Sequence, residues 1–124
     1  MDSTINNSTN NENIQRFISN PESFILFRGE SDENKGGLHF TTDEKWAKNF
    51  GNKIITGKLP ADSKIKLITE KDFKEGYELG ILSEELFWKF IFDKGYDAIV
   101  GYDVMNSTKL DVIINPKHLK LFNN

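Results

Sequence analysis

Polar side chains interrupt otherwise apolar, strand-like segments at three places in this sequence. Arg28 ends one segment, His39 and Thr41 lie two residues apart in a second, and Asp111 lies within a third. Residues two apart on a strand share a face, and a carboxylate in a buried strand needs a partner. Three interpretations stay open: Asp111 acts in a site with these side chains, forms a structural ion pair with Arg28 or Lys109, or faces solvent on an edge strand.

The segment 36–51 predicts a tight turn, a short strand over 38–42 and a helix that ends at Gly51. Thr42 is the expected N-cap, and Asp43 and Glu44 place negative charge on the first helical turn. A strand that delivers polar side chains to a helix N-terminus favours an anionic ligand. An ordinary strand-to-helix junction is the alternative interpretation.

Composition excludes several classes of function. The chain has 124 residues, no cysteine, two histidines and a formal net charge of −3. Disulfides, thiolate chemistry and a metal cluster are therefore not expected. Nucleic acid is a less favoured partner because no basic tract is present. A membrane span and a signal peptide are not expected either, so the predicted location is cytoplasmic.

The periodicity predicts one α+β domain over 12–124 after a disordered polar tail over 1–11. Helices are expected over 11–20, 43–50 and 83–94, with one or two helical turns over 70–77. The run 24–30 is expected to be a strand buried on both faces. The other expected strands cover 38–42, 53–59, 64–69, 97–100 and 110–116, with a short edge strand over 119–122.

Three motifs in this order resemble the ADP-ribosyltransferase family. They are Phe-Arg-Gly-Glu at 27–30, Gly-Leu-His-Phe-Thr-Thr-Asp at 37–43, and Lys-Leu-Asp-Val-Ile-Ile-Asn-Pro at 109–116. Ala47 and Phe50 follow the second motif at the spacing of the family's helix. The likeness covers about residues 24–122, and it implies a split β-sheet core with flanking helices in a small phage- or toxin-type member.

The resemblance implies that the substrate NAD binds in this chain. Arg28 would hold a phosphate or ribose, and the backbone of Gly29 would lie close to the nicotinamide amide. His39 and Phe50 would enclose the nicotinamide ring. The resemblance also assigns Phe40 and Thr42 to the NAD-binding set.

The catalytic carboxylate implied by the resemblance is Asp111, oriented by Thr41. It would stabilise the oxocarbenium-like ribose that forms when the bond to nicotinamide breaks. Asp111 stands where the family usually has Glu. Lys109, expected on the same strand face, stands where arginine-modifying members carry Glu or Gln, so arginine modification is not expected. Weaker substrate candidates are Tyr102, Asp103 and Lys109.

The expected function is transfer of ADP-ribose from NAD to a host macromolecule, with a protein as the favoured target, or NAD hydrolysis. The alternative is a catalytically inactive domain of the same fold that binds a partner protein or a nucleotide. An enzyme of related fold acting on nucleic-acid ends or bases is a third, less favoured possibility.

Overall fold

Over the described residues, seven strands in two sheets form the centre of the fold. The computed structural model describes residues 12–123, so the expected tail over 1–11 lies outside the described residues. The strands are β1 (Leu26–Glu30), β2 (His39–Phe40), β3 (Lys53–Gly57), β4 (Ile65–Leu67), β5 (Ala98–Tyr102), β6 (Leu110–Ile114) and β7 (Phe122–Asn123). One sheet has the order β1-β3-β7 and the other β2-β6-β5-β4. Only the β4–β5 pair is parallel among these described strands, so the fold is α+β with a mixed core.

Two backbone hydrogen bonds between Phe27 and Thr41 connect the sheets. The amide of each residue donates to the carbonyl of the other at 2.8 Å. Thr41 directly follows β2, so the end of that strand is fixed against β1. Residues from the first and second motifs are therefore neighbours in space.

In the part of the chain that the structure describes, four α-helices flank the sheets: α1 (residues 12–19), α2 (Glu44–Ala47), α3 (Glu70–Glu78) and α4 (Glu84–Phe92). Helix α1 buries Ile14 and Phe17 in the main core, beneath β1, β5 and β6. Helix α4 buries Phe87 and Ile91 in a second cluster on the other side of the larger sheet. Ser83 caps α4, the helix expected over 83–94, since its hydroxyl accepts the Leu86 amide at 3.1 Å.

The structure corrects several expected boundaries. The N-cap of α2 is Asp43 rather than Thr42, because the Asp43 carboxylate accepts the Trp46 amide at 3.0 Å. The strand expected over 24–30 begins at Leu26, and Ile25 just before it is 48% exposed, so the run is not buried over its whole length. Residues 116–121 form a 3-10 helix, with only Phe122 and Asn123 in the edge strand.

Helix α3 is longer than the one or two turns expected from its charged, glycine-containing sequence. Thr69 and Asp72 form a complete capping box at its start, which satisfies amides that would otherwise lack partners. Gly76 lets α3 approach α4, because a Cβ there would lie 2.8 Å from the Phe87 ring. None of the helices over the described residues has the length and apolar character needed to cross a membrane.

Candidate functional site

A cavity of about 810 Å³ opens between the two sheets and the helices α2, α3 and α4. All three sequence motifs contribute to its wall. Nine of the residues singled out in the sequence line it: Arg28, Gly29, His39, Phe40, Thr41, Phe50, Tyr102, Asp103 and Asp111. Thr42 and Lys109 do not; they line a separate, shallower depression.

His39 and Asp111 meet inside this cavity. Strand β2 pairs with β6 so that His39 lies opposite Ile113, and Asp111, two residues earlier on β6, shares the face of Ile113. The His39 Nδ1 lies 3.0 Å from Asp111 Oδ1 and 3.1 Å from Oδ2. Asp111 therefore has a partner on the neighbouring strand, and that partner is neither Arg28 nor Lys109.

A second carboxylate approaches the other nitrogen of the same ring. Glu84 Oε1, on the first turn of α4, lies 3.3 Å from His39 Nε2 and accepts the Trp88 indole N–H at 3.1 Å. The hydrogen bond with Asp111 raises the pKa of His39, burial opposes it, and the charges of Asp111 and Glu84 raise it further. The net pKa of His39 lies above its ordinary value, so the ring keeps its charge to higher pH than a free histidine does.

Arg28 is held by three groups at the edge of the cavity. Its Nε donates to Glu30 Oε2 at 3.1 Å, its Nη1 donates to the His39 carbonyl at 3.1 Å, and its Nη2 donates to Asn34 Oδ1. The side chains of Arg28 and Glu30 are only 10% and 12% exposed. Three of the five guanidinium N–H groups are thus used within the described part of the chain.

Gly29 is required by packing against α2. A Cβ at Gly29 would lie 1.9 Å from the Ala47 carbonyl oxygen and 2.9 Å from that of Gly51. Asn34 strengthens this junction, since its amide donates to the carbonyls of Gly29 at 3.2 Å and Phe50 at 3.1 Å. The close approach positions α2 and Phe50 along the cavity.

Thr41 and Phe40 face different surroundings. Thr41 is 6% exposed, and its hydroxyl accepts the Asp43 amide at 3.3 Å. Phe40 is 3% exposed and packs against Phe122, with ring centroids 4.5 Å apart. Phe40 is therefore mainly a core residue, although it also contributes to the cavity wall.

Lys109 does not place its charge beside Asp111. It precedes β6, and its amino group forms an ion pair with Asp43 at the start of α2. The hydrogen bond from Lys109 and the Trp46 amide lower the pKa of Asp43 against a smaller opposing effect of burial. The expectation that the Lys109 ammonium shares a strand face with Asp111 is therefore wrong, because the residue lies in the turn and reaches towards α2.

Aromatic side chains and the loop after β5 close one side of the cavity. Trp46 packs edge-on against Phe50 with centroids 5.7 Å apart, and its indole N–H donates to Asp103 at 3.0 Å. Asp103 also accepts the Met105 amide at 2.8 Å. This contact joins the loop to α2.

Several lining residues were not identified from the sequence. Glu84 lies on the first turn of α4, where the helix dipole alone accounts for an acidic residue, and Trp88 lies one turn further along the same helix. The apolar residues of the cavity mouth are contributed by α3, by the segment before α4 and by the loop after β5, and many are exposed. They are Phe73, Tyr77, Leu82, Val104 and Met105.

Comparison with known proteins gives no relative for this chain: no family model, curated protein or solved structure matches it.

Proposed function

We propose that this protein is an NAD-dependent ADP-ribosyltransferase-like enzyme whose active site is the cavity around Asp111. One observation carries the proposal: Arg28, His39, Thr41, Phe50 and Asp111 come from three distant segments and line a single cavity. The split of the strands into two sheets is compatible with the core that the sequence resemblance implies.

The lining suits the nicotinamide end of NAD. Trp46, Phe50 and Trp88 offer ring surfaces, and Glu84, Asp103 and Asp111 supply negative charge in the same cavity. A pyridinium is both flat and cationic, so aromatic faces and carboxylates complement it together. The cavity volume of about 810 Å³ lies within the range usual for small-molecule sites.

The diphosphate end of NAD has fewer evident hydrogen-bond partners in the cavity than the nicotinamide end. Arg28 retains at most two N–H groups beyond its three bonds within the described chain. In this proposal Arg28 chiefly fixes the carbonyl of His39 and the loop that contains Asn34, and offers its remaining N–H groups to a phosphate or ribose oxygen.

The reaction assigned to Asp111 is stabilisation of positive charge on the ribose. As the bond from C1′ to nicotinamide breaks, the electron pair leaves with the pyridine nitrogen and the ribose becomes oxocarbenium-like. A full charge pair about 4 Å apart, at an effective dielectric near 20, contributes roughly 4 kcal/mol. That energy corresponds to about three powers of ten in rate.

In the complete proposal the ADP-ribose passes to a host macromolecule, with a protein target favoured, or to water. A phage- or toxin-type effector role follows from the sequence resemblance. The position of Lys109 removes one obstacle to catalysis, because its ammonium pairs with Asp43 instead of opposing a cationic transition state beside Asp111.

A catalytically inactive binding module is the second candidate. The exposed apolar side chains at the cavity mouth favour it: Tyr77, Leu82, Val104 and Met105 are 73%, 78%, 99% and 70% exposed. Clusters of this kind commonly mark binding surfaces. In that case Asp111 and His39 would be structural partners only.

Nicotinamide release and thermal stability in the presence of NAD separate the two candidates. We expect NAD to raise the melting temperature of the wild type, and Asp111→Asn to lower nicotinamide release about a thousandfold while still folding. Asp62→Asn is the matched control, because Asp62 is an exposed carboxylate in the turn between β3 and β4 and does not line the cavity. A wild type that neither responds to NAD nor releases nicotinamide would leave the binding module as the supported function.

A further inference from the structure

His39 lies in the wall between two cavities. Besides the central cavity, a groove of about 720 Å³ runs along α4 and the end of β6, next to Leu38, Leu86 and Pro116. His39, Glu84 and Trp88 line both spaces. A molecule in the groove and a molecule in the central cavity would therefore meet at this imidazole.

The two ring nitrogens of His39 have different surroundings. Nδ1 faces both oxygens of Asp111, so in the neutral ring it is Nδ1 that carries the proton and donates it to the carboxylate. Nε2 then carries the lone pair. Its neighbour Glu84 accepts the Trp88 indole N–H, but its side chain is 66% exposed, so it can turn towards solvent when a group enters.

We propose that His39 is the general base of the reaction, and that it accepts the proton of a hydroxyl group, from water or an alcohol, that enters along the α4 groove. This inference rests on the proposed function. In the step, the hydroxyl oxygen forms a bond to C1′ of the ribose and the bond from C1′ to nicotinamide breaks with its electron pair on the pyridine nitrogen. The hydroxyl proton passes to Nε2, while Asp111 holds Nδ1 and faces the ribose cation.

The charges of the groove disfavour an anionic acceptor. Glu84, Glu85 and Asp93 line it together with Lys89, which pairs with Asp93 at 2.9 Å. A carboxylate acceptor would be repelled by this excess of negative charge. A hydroxyl is neutral but holds its proton tightly near neutral pH, so it gains most from a base in direct contact.

The charged groups that face His39 set the direction of the pH dependence. Asp111 on β6 and Glu84 on α4 raise its pKa, and Arg28 on β1, which donates to the His39 carbonyl, lowers it by a smaller amount. Because only the neutral imidazole accepts a proton, the rate should rise with pH until it passes the raised pKa of His39.

Hydrolysis and methanolysis of NAD test this role without knowledge of the natural acceptor. Nicotinamide release is measured across pH, in water and with added methanol, and methyl ADP-ribose is sought as a product. His39→Asn keeps a donor for Asp111 but has no second nitrogen to act as base. We expect it to lose at least about tenfold in rate and to lose the pH-dependent rise.

Glu84→Gln should move the rise to lower pH, because one of the two carboxylates that stabilise the imidazolium is removed. Glu78→Gln, an exposed carboxylate on α3 outside both cavities, should leave the profile unchanged. Formation of methyl ADP-ribose would identify alcohols as acceptors, and hydrolysis alone would identify water; either supports the inference if it depends on His39.

Different results would overturn the proposed function and the role of His39 as general base. A folded wild type that releases no nicotinamide at any pH overturns the proposed function itself. If the wild type is active but His39→Asn keeps its rate and its pH profile, His39 is not the base, and the role of Asp111 stands. If His39→Asn does not fold, an unshifted profile of Glu84→Gln is the result that overturns the inference.

Discussion

The imidazole of His39 meets both oxygens of Asp111 across β2 and β6, at 3.0 Å and 3.1 Å from Nδ1. The two residues are 72 positions apart in sequence. Their meeting requires the antiparallel register that sets His39 opposite Ile113, since a slip by one residue would turn Asp111 to the other face of the sheet. This contact joins the second and third sequence motifs in one site.

The pKa of His39 should depend mainly on Asp111. In Asp111→Asn the hydrogen bond to an ionised carboxylate is lost, so we expect the pKa of His39 to fall, as followed by NMR titration of the ring protons. Glu84→Gln should lower it less, because Glu84 is more exposed than Asp111. Asp62→Asn is the control, and an unchanged pKa in Asp111→Asn would contradict the contact described above.

We expect Arg28 to contribute strongly to the stability of the fold, whether or not it also binds a ligand. Arg28→Ala leaves the nearly buried Glu30 carboxylate and the His39 carbonyl without this donor. We expect it to lower the free energy of unfolding by about 2–4 kcal/mol in urea titrations. Lys35→Ala, which removes a charge from an exposed ion pair with Asp32, should change it by less than about 0.5 kcal/mol.

A double-mutant cycle with Glu30→Ala isolates the Arg28–Glu30 pair. We expect a coupling free energy above about 1 kcal/mol, because both side chains are removed from water. Additive effects of the two substitutions would mean that Arg28 acts on stability through its other partners.

Local signals in the sequence predicted most elements but not the contacts between them. Ser83 marks the start of α4 through its hydroxyl, and that boundary is confirmed. The sequence predicts a shorter α3, because Gly76 is typical of a loop, whereas in the structure Gly76 packs against Phe87. Glycine weakens an isolated helix, but here the absent side chain allows two helices to pack.

In the candidate site, too, local sequence signals indicate some residues and not others. Arg28, His39 and Asp111 stand out as polar residues in apolar strands, and this pattern indicates three residues of the cavity wall. Glu84 did not stand out, because a glutamate on a first helical turn is explained by the helix dipole alone. Strand alternation predicts Lys109 on the face of Asp111, but Lys109 lies before β6, where the alternation no longer applies.

Gly29 should tolerate no side chain. A Cβ would lie 1.9 Å from the Ala47 carbonyl oxygen, and backbone of α2 cannot move aside as a flexible side chain can. We expect Gly29→Ala to lower the free energy of unfolding by about 3 kcal/mol or more, measured by urea denaturation. Gly101→Ala, whose Cβ would meet the Ile68 Cγ2 methyl at 2.9 Å, should cost only about 1 kcal/mol.

Comparing Gly29→Ala with Gly101→Ala shows whether Gly29 is required for packing or for the close approach of a ligand. If Gly29→Ala were as stable as the wild type but lost its response to NAD, the glycine would be required for the ligand. If Gly29→Ala and Gly101→Ala lost equal stability, the close approach of Gly29 to the α2 backbone would not be the reason that Gly29 is required.

Asp97 should make stability depend on pH in the acid range. Burial alone would raise the pKa of Asp97, but hydrogen bonds from the His118 ring at 2.8 Å and the Lys64 amide at 2.7 Å lower it overall. A carboxyl whose pKa is lower in the folded state stabilises the fold above its unfolded pKa. That contribution is lost as the pH falls through the folded pKa, so the wild type should lose stability there.

Asp97→Asn tests this directly. It should lower the free energy of unfolding by about 1.5–3 kcal/mol at pH 7, because the charge-assisted bonds to Lys64 and His118 are weakened. The difference from the wild type should shrink as the pH falls below the folded pKa of Asp97, where the wild-type carboxyl also becomes neutral. Asp62→Asn should follow the wild type throughout. The opposite result is a difference in free energy of unfolding between Asp97→Asn and the wild type that stays constant down to the lowest pH. That result would contradict the prediction, because it would mean that the charge of Asp97 does not stabilise the junction of β5 with the 3-10 helix over 116–121.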